Sequence, residues 1–244
     1  MCVQVLIESF EPGELVSKYT LQKALGMEGG DALRKDLAHF VVARGEDVYL
    51  KMLLVDNLMH ADLHPGNILV HTPTGRPPVL SLIDLGMVAR LTRDESQAFI
   101  GFIQAIGAGD GAAAARRVLK FSAAQECATP LEFEADMVRF FRETCRGYGT
   151  DVAFGVVLKG VLGLVRKHRV TLDANYMTLV MNVLCLEGMA QALLPSYNVL
   201  DMARPLLDAH KLLPRPLFGV ALPAVVALKR LRDRVFLWLD RTEG

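Results

Sequence analysis

Short apolar runs open the chain and helical periodicity closes it. Val3 to Ile7 is an apolar run ending at Glu8, which predicts a strand. From Asp31, the residues Leu33, Leu37, Phe40 and Val41 fall at helical spacing. Gly45 interrupts that helix, and a second stretch from Asp47 to Asn57 carries Val48, Leu50, Met52, Leu53 and Val55. A polar loop, His60 to Asn67, then leads into an apolar strand, Ile68 to Val70. The Pro/Gly-rich turn Thr72 to Pro78 reverses the chain into a second strand, Val79 to Ile83, ending on Asp84-Leu85-Gly86.

Beyond Gly86 the pattern is helical to the end. Thr92-Arg93-Asp94-Glu95 fits a capping box, Phe99, Phe102, Ile103 and Ile106 form an apolar face, and Gly107 to Gly111 stops the helix. Thr129-Pro130-Leu131-Glu132 repeats this start with Pro at the first helical position. Further helices are predicted near Val152 to Lys167 and near Ala174 to Leu194, the latter ending at Pro195. Pro216 to Leu228 is uncharged for 13 residues, too short for a membrane span and interrupted by Pro223. After it, Lys229, Arg230, Arg232 and Arg234 alternate with Leu228, Leu231, Val235 and Trp238. The expected arrangement is a final helix packed on the body, and the rival is a basic amphipathic helix lying on a lipid surface. The predicted fold is mainly α with a small β-hairpin, divided into residues 1–13, 14–207 and a tail, 208–244.

Composition narrows the classes. A chain of 244 residues can bury a full core as one domain. With 27 basic and 27 acidic residues it has no basic footprint for nucleic acid. A mean hydropathy of +0.29 fits a large core or a face awaiting a membrane or partner. Cys2, Cys127, Cys145 and Cys185 are scattered without a C-x-x-C pair, which favours reduced thiols. The first ten residues resemble neither a signal sequence nor a transit peptide.

The candidate chemistry lies at the hairpin, which would bring Asp62, Asn67 and Asp84 together. Phosphoryl transfer needs a carboxylate to take or orient the acceptor proton, and Mg2+ held by a few protein oxygens. His60-x-Asp62-x4-Asn67 followed by Asp84-Leu85-Gly86 has the spacing of the kinase catalytic loop and metal loop. Asp62 is thus the candidate base, Asn67 and Asp84 the candidate Mg2+ ligands, and His60 the residue that positions the loop. One rival is a transition-metal site on the alternating His60, Asp62 and His64, which Pro65 and the lack of a completing cluster disfavour. Met177, Met181 and Met189 are expected to pack in the core, and His39, His71, His168 and His210 to be surface or satisfied histidines.

HADLHPGNILV with LIDLGMVARL resembles the UbiB-type, aarF-domain-containing atypical kinases of quinone biosynthesis. Aminoglycoside- and choline-kinase-like enzymes carry a similar loop. The segment VLIESFEPG at 5–13 resembles the UbiB-type hinge strand, and VLCLEGMA at 183–190 with NVLDMARP at 198–205 resembles its late helices, so the likeness spans residues 1–207. The resemblance implies a kinase-like large, C-terminal lobe with the small lobe largely absent. It also implies ATP and Mg2+ as cofactors, and a nucleotide site reached by Glu8 and Phe10 of the hinge together with Asn67 and Asp84. Glu187-Gly188 would be structural, with the glycine allowing close helix approach. Leu63 stands where the family usually has proline, and Leu85 where typical protein kinases have phenylalanine.

No phosphate loop, lysine strand or K-x-G-Q element occurs in these 244 residues. The reading is a truncated form with reduced or no activity. Its full counterpart would be an ATP-dependent phosphotransferase or ATPase supporting coenzyme Q biosynthesis or mitochondrial lipid metabolism, with a mitochondrial address implied by resemblance alone. The expected partners are a quinone-biosynthesis complex or lipid substrate, with peripheral membrane contact through 214–244. The alternatives are a non-catalytic scaffold or lipid-binding module, and a small-molecule kinase of the aminoglycoside or choline type.

Overall fold

The computed structural model describes residues 8–24, 35–150 and 152–242, and the side chains of these except 22–24, 215 and 233–242. The predicted strand Val3 to Ile7 and the helix start at Asp31 lie outside the described residues, as do the side chains of Arg234, Val235 and Trp238. The chain enters through β1 (Glu14–Leu15) and α1 (Val16–Ala24), then α2 (Lys35–Lys51), which passes into a π-helical turn (Met52–Asp56). Next come β2 (Met59–His60), a 3-10 turn (Pro65–Asn67), β3 (Ile68–His71), β4 (Val79–Leu82) and β5 (Val88–Ala89). The rest is helical: α3 (Arg93–Ala108), α4 (Gly111–Val118), α5 (Pro130–Thr144), α6 (Phe154–Lys167), α7 (Ala174–Leu193), α8 (Val199–Leu212) and α9 (Arg215–Thr242).

The expected hairpin forms, with Ile68 opposite Leu82 and His71 opposite Val79. β1 adds to it as a third antiparallel strand. A second ribbon, β2 with β5, sets His60 opposite Val88. The mainly α architecture with a small β-hairpin follows the sequence reading, and the division at 207/208 falls inside α8.

Helix α7 organises the core. It packs against α1, α2 and α6, and Leu179, Val183, Leu186 and Ala190 on it are buried. It is the one helix, among the described residues, long and apolar enough to cross a membrane, and 56% of that window is buried inside the body, as for a core helix. Gly45 does not break α2 as its sequence context suggests. A Cβ there would lie 3.4 Å from Met189 Cε, an ordinary contact, so it is the packing of α2 on α7 that carries the helix through the glycine. Tight packing offsets the roughly 1 kcal/mol that an interior helical glycine costs. Of the three methionines expected in the core, only Met189 is fully buried, while Met177 and Met181 are 36% and 51% exposed. Phe99, Phe102, Phe121 and Tyr176 form an aromatic cluster in which Phe121 stacks on Tyr176 at 4.0 Å between centroids.

The capping box at α3 is present. Thr92 Oγ1 accepts from the Glu95 N–H, and Glu95 Oε2 accepts from the Thr92 N–H at 2.7 Å. Gly109 ends that helix in the left-handed region at φ 67°. The second expected box does not close: Thr129 makes no side-chain cap on α5 and its hydroxyl lies 3.4 Å from His168 Nδ1. His168 is satisfied as expected, its Nε2 lying 2.9 Å from Asp136. Cys127, Cys145 and Cys185 are free thiols.

The tail departs most from the sequence pattern. Pro223 does not interrupt α9, which continues through it because Phe218 and Leu222 are buried against the body. Lys229, grouped by sequence with the solvent-facing cations, is 2% exposed. Its Nζ lies 2.8 Å from Asp47 Oδ1 and 3.3 Å from Glu46 Oε1, both on α2. Tyr197 donates its hydroxyl to Glu46 Oε2, and Arg44 and Arg230 flank the Asp47 carboxylate.

Burial pushes the Glu46 carboxyl from 4.5 up to about 7, against the opposing pull of Lys229 and Tyr197. The folded state therefore holds this proton more tightly than the unfolded state. The group's contribution to stability is complete below pH 4.5 and declines as pH rises from there to about 7. The drop in melting temperature between about pH 5 and about pH 8 is expected to be several degrees smaller in Glu46→Gln than in the wild type, which thermal unfolding at the two pH values measures.

Candidate functional site

The loop between β2 and β3 is held almost entirely by buried polar groups. His60 is 1% exposed, and both ring nitrogens are engaged: Nε2 lies 3.0 Å from the Ile83 carbonyl and Nδ1 accepts from the Asp62 N–H at 3.1 Å. Nδ1 thus acts as acceptor, which makes Nε2 the protonated nitrogen, donating to Ile83. Neither nitrogen is left for a metal, so the rival site on His60, Asp62 and His64 has lost its first ligand. Among the described residues no group of three or more His, Cys, Asp or Glu could hold a metal ion.

Asn67 fixes the other end of the loop. Its side-chain N–H donates to the Asp62 carbonyl at 3.0 Å, and its backbone N–H donates to the His64 carbonyl at 2.8 Å, closing the 3-10 turn. His64 caps this turn, Nδ1 accepting from the Gly66 N–H at 3.0 Å, which aims Nε2 at Asp62 Oδ2, 3.6 Å away. The Asn67 carbonyl accepts from the Ile83 N–H at 3.0 Å, which extends the β3–β4 ladder by one step and puts Asn67 next to Asp84. The Ala61 N–H donates to the Met87 carbonyl at 2.9 Å, stitching the segment before Asp62 to the one after Gly86.

The candidate residues therefore divide by exposure. Asn67 is 7% exposed, whereas Asp62 and Asp84 face solvent. Asp84 sits at φ 56°, a left-handed conformation that Asp tolerates better than most residues, and its Oδ1 caps the Gly86 N–H at 3.4 Å. Glu8 and Phe10 are also exposed, Phe10 at 90%, on the segment that leads into β1.

Asn182 on α7 is the residue that sequence reasoning missed. It is 2% exposed; its Nδ2 donates to the His60 carbonyl at 2.6 Å and its Oδ1 accepts from the Leu63 N–H at 3.2 Å. One side chain thus clamps both sides of Asp62. Only a proline-free position 63 can make the second bond, so the leucine there supplies a donor as well as buried bulk. The only advance signal was a lone Asn in an apolar helix. Cys185, one turn further along α7, feels Asp62: burial first, and then that carboxylate, push its thiol above the usual range. Glu187 is buried and turned toward the Phe154 and Gly155 N–H groups at the start of α6. Gly188 has open space around it, and the close approach expected there belongs to Gly155, whose Cβ would lie 3.0 Å from Glu187 Cγ.

Residues 6–118 match the family profile of the ABC1 atypical kinase-like domain. Among curated proteins, the "Probable serine/threonine-protein kinase abkC" of Dictyostelium discoideum is 26% identical over 84% of this chain and 38% of its own length. A mitochondrial ABC1 family protein of Schizosaccharomyces pombe is 25% identical over 84% of this chain and 34% of its own length. The "Probable protein kinase UbiB" of Pasteurella multocida is 28% identical over 68% of this chain and 31% of its own length. The chain thus spans about a third of the length of these relatives. No solved structure matches it.

Replacing Asn182 by leucine keeps the volume and strands the His60 carbonyl and Leu63 N–H in the core. The expected loss is about 2–4 kcal/mol of unfolding free energy, read by urea denaturation. A loss below about 0.5 kcal/mol would show that the clamp contributes nothing.

Proposed function

We propose that this chain, a relative of the UbiB-type, ABC1 atypical kinases, carries out Mg2+-dependent ATP chemistry, as phosphoryl transfer or ATP hydrolysis, in support of coenzyme Q biosynthesis or mitochondrial lipid metabolism. The observation that carries this reading is the register of the hairpin. The Ile83 N–H to Asn67 carbonyl bond sets Asn67 beside Asp84 at the end of the ladder, while Asn67 also holds the Asp62 carbonyl.

The donor set suits the ion. Asp84 offers a solvent-facing carboxylate and Asn67 an amide oxygen whose partner N–H is already committed to Asp62, and hard oxygens with room for water are what Mg2+ takes. Bound Mg2+ and ATP would supply the phosphoryl group and offset its charge. Asp62, with its carboxylate in solvent and its backbone clamped on both sides, is placed to accept or orient the proton of an acceptor hydroxyl or of water. His60 has no free nitrogen for chemistry and acts by positioning the loop. Glu8 and Phe10 are the proposed adenine-side segment. The mitochondrial setting rests on fungal relatives named as mitochondrial, and the quinone setting on relatives named UbiB.

A non-catalytic docking role has one observation in its favour. Leu85, Met87 and Val88, beside the candidate metal loop, are 61%, 58% and 51% exposed, an apolar rim that a partner could cover.

Calorimetry of ATP binding with and without Mg2+ separates these readings. Wild type is expected to bind only with Mg2+, and Asp84→Asn to weaken that binding at least about tenfold. Asp62→Asn should bind normally while turnover falls about 10²–10⁴-fold. Wild-type protein that binds no nucleotide would remove the catalytic reading and leave the docking one. Faster turnover with amino-sugars or choline than with quinone head-group analogues would assign the small-molecule class instead.

A further inference from the structure

The clamps on the Asp62 loop hold its backbone and leave its carboxylate free to turn. Asn182, Asn67 and His60 all bind main-chain groups around Asp62, whose side chain is 51% exposed. A carboxylate that samples several rotamers meets an acceptor hydroxyl in only a fraction of its orientations. Among the described residues, the side-chain nitrogen within ion-pair distance of that carboxylate is His64 Nε2, 3.6 Å from Oδ2.

Three consecutive residues aim that nitrogen. His64 is extended at φ −135° and ψ 165°, a conformation that the following proline favours by excluding the helical region. The Gly66 N–H donates to Nδ1 at 3.0 Å, so the ring proton sits on Nε2, on the side of Asp62. Gly66 makes room for the ring: a Cβ there would lie 2.8 Å from His64 Cε1 and 2.9 Å from Nδ1. Its backbone lies outside the left-handed region, so the ring, and not the turn, calls for glycine. A turn that needed only a cap would be served by asparagine at 64. The His-Pro-Gly run goes further and presents one N–H to one carboxylate.

Resting on the reading of Asp62 as the base, we propose that His64 is a positioning residue: its Nε2–H holds Asp62 Oδ2, so that Oδ1 faces the hydroxyl or water that receives the phosphoryl group. The 3.6 Å separation is longer than a hydrogen bond, and a small rotation of the Asp62 side chain closes it once the acceptor packs against the carboxylate. Histidine alone among the common side chains meets both demands. Lysine could reach the carboxylate but has no lone pair for the Gly66 N–H, and asparagine could take that N–H but ends short of Asp62.

Steady-state turnover of Mg2+–ATP by the full chain, beside calorimetric Mg2+–ATP binding, tests this. His64→Asn keeps an acceptor where Nδ1 lies and removes the distal N–H. Its kcat is expected to fall about 10–100-fold, with KM for ATP, nucleotide affinity and melting temperature unchanged. Gly66→Ala should push the ring aside and lower kcat to a similar extent, yet cost nothing further in the His64→Asn background, because it acts through the ring. Long-range 15N NMR of the wild type at about pH 8, where an ordinary imidazole is neutral, should show the His64 proton on Nε2 with Nδ1 bare. Wild type without turnover would remove the functional reading and the role of His64 with it. Wild-type turnover with an unaffected His64→Asn variant would remove that role alone. So would a proton on Nδ1, a loss of nucleotide affinity that matches the loss of kcat, or additive losses in the double variant.

Discussion

The structure depends on one buried asparagine side chain. The Asp62 loop has only two residues of β2 before it and a three-residue turn after it, too little regular structure to hold a carboxylate in place. Asn182 reaches it from the central helix and bonds the backbone on either side of Asp62. The loop therefore inherits the rigidity of α7, which is locked by α1, α2 and α6. Unpaired backbone groups at that depth would each cost about 1–3 kcal/mol, so any movement of the loop away from α7 is opposed twice over.

The same division recurs around the site. Buried polar groups do the positioning and exposed carboxylates are left for chemistry. His60 binds the loop to the end of β4 through Ile83, Asn67 binds it to itself, and the Ala61 N–H binds it to Met87. Every one of these bonds involves a backbone group, so the arrangement tolerates a change in a neighbouring exposed side chain such as Leu85. What it does not tolerate is loss of a donor or acceptor in the network.

How legible this was depended on range in sequence. The hairpin, its register and the capping box at α3 are local, and the turn residues 72–78 and the Thr92–Glu95 pair announce them. The carboxylates and the asparagine share one short segment, so their spacing was visible. The β2–β5 ribbon of two-residue strands was not, since no periodicity can show in two residues. Asn182 and Lys229 were missed because each acts across more than a hundred residues, and a polar residue in an apolar helix looks like surface until its partner is known. Gly45 misled for a related reason: α2 runs on through it because it packs against α7, far along the chain.

Lys229 and Asn182 solve opposite problems with the same means. Asn182 satisfies the backbone so that Asp62 can stay solvated on a rigid support. Lys229 satisfies carboxylates so that leucines can stay outside on a helix that would otherwise roll to bury them. Hydrophobic burial alone would favour the rolled helix, at about 25 cal/mol per Å² of apolar surface removed from water. The outward leucines, Leu217, Leu228 and Leu231, persist because rolling the helix would both expose Phe218 and Leu222 and part Lys229 from its carboxylates, the second alone costing several kcal/mol. In both places a buried polar contact between distant segments, rather than the local pattern, decides which surface the protein shows.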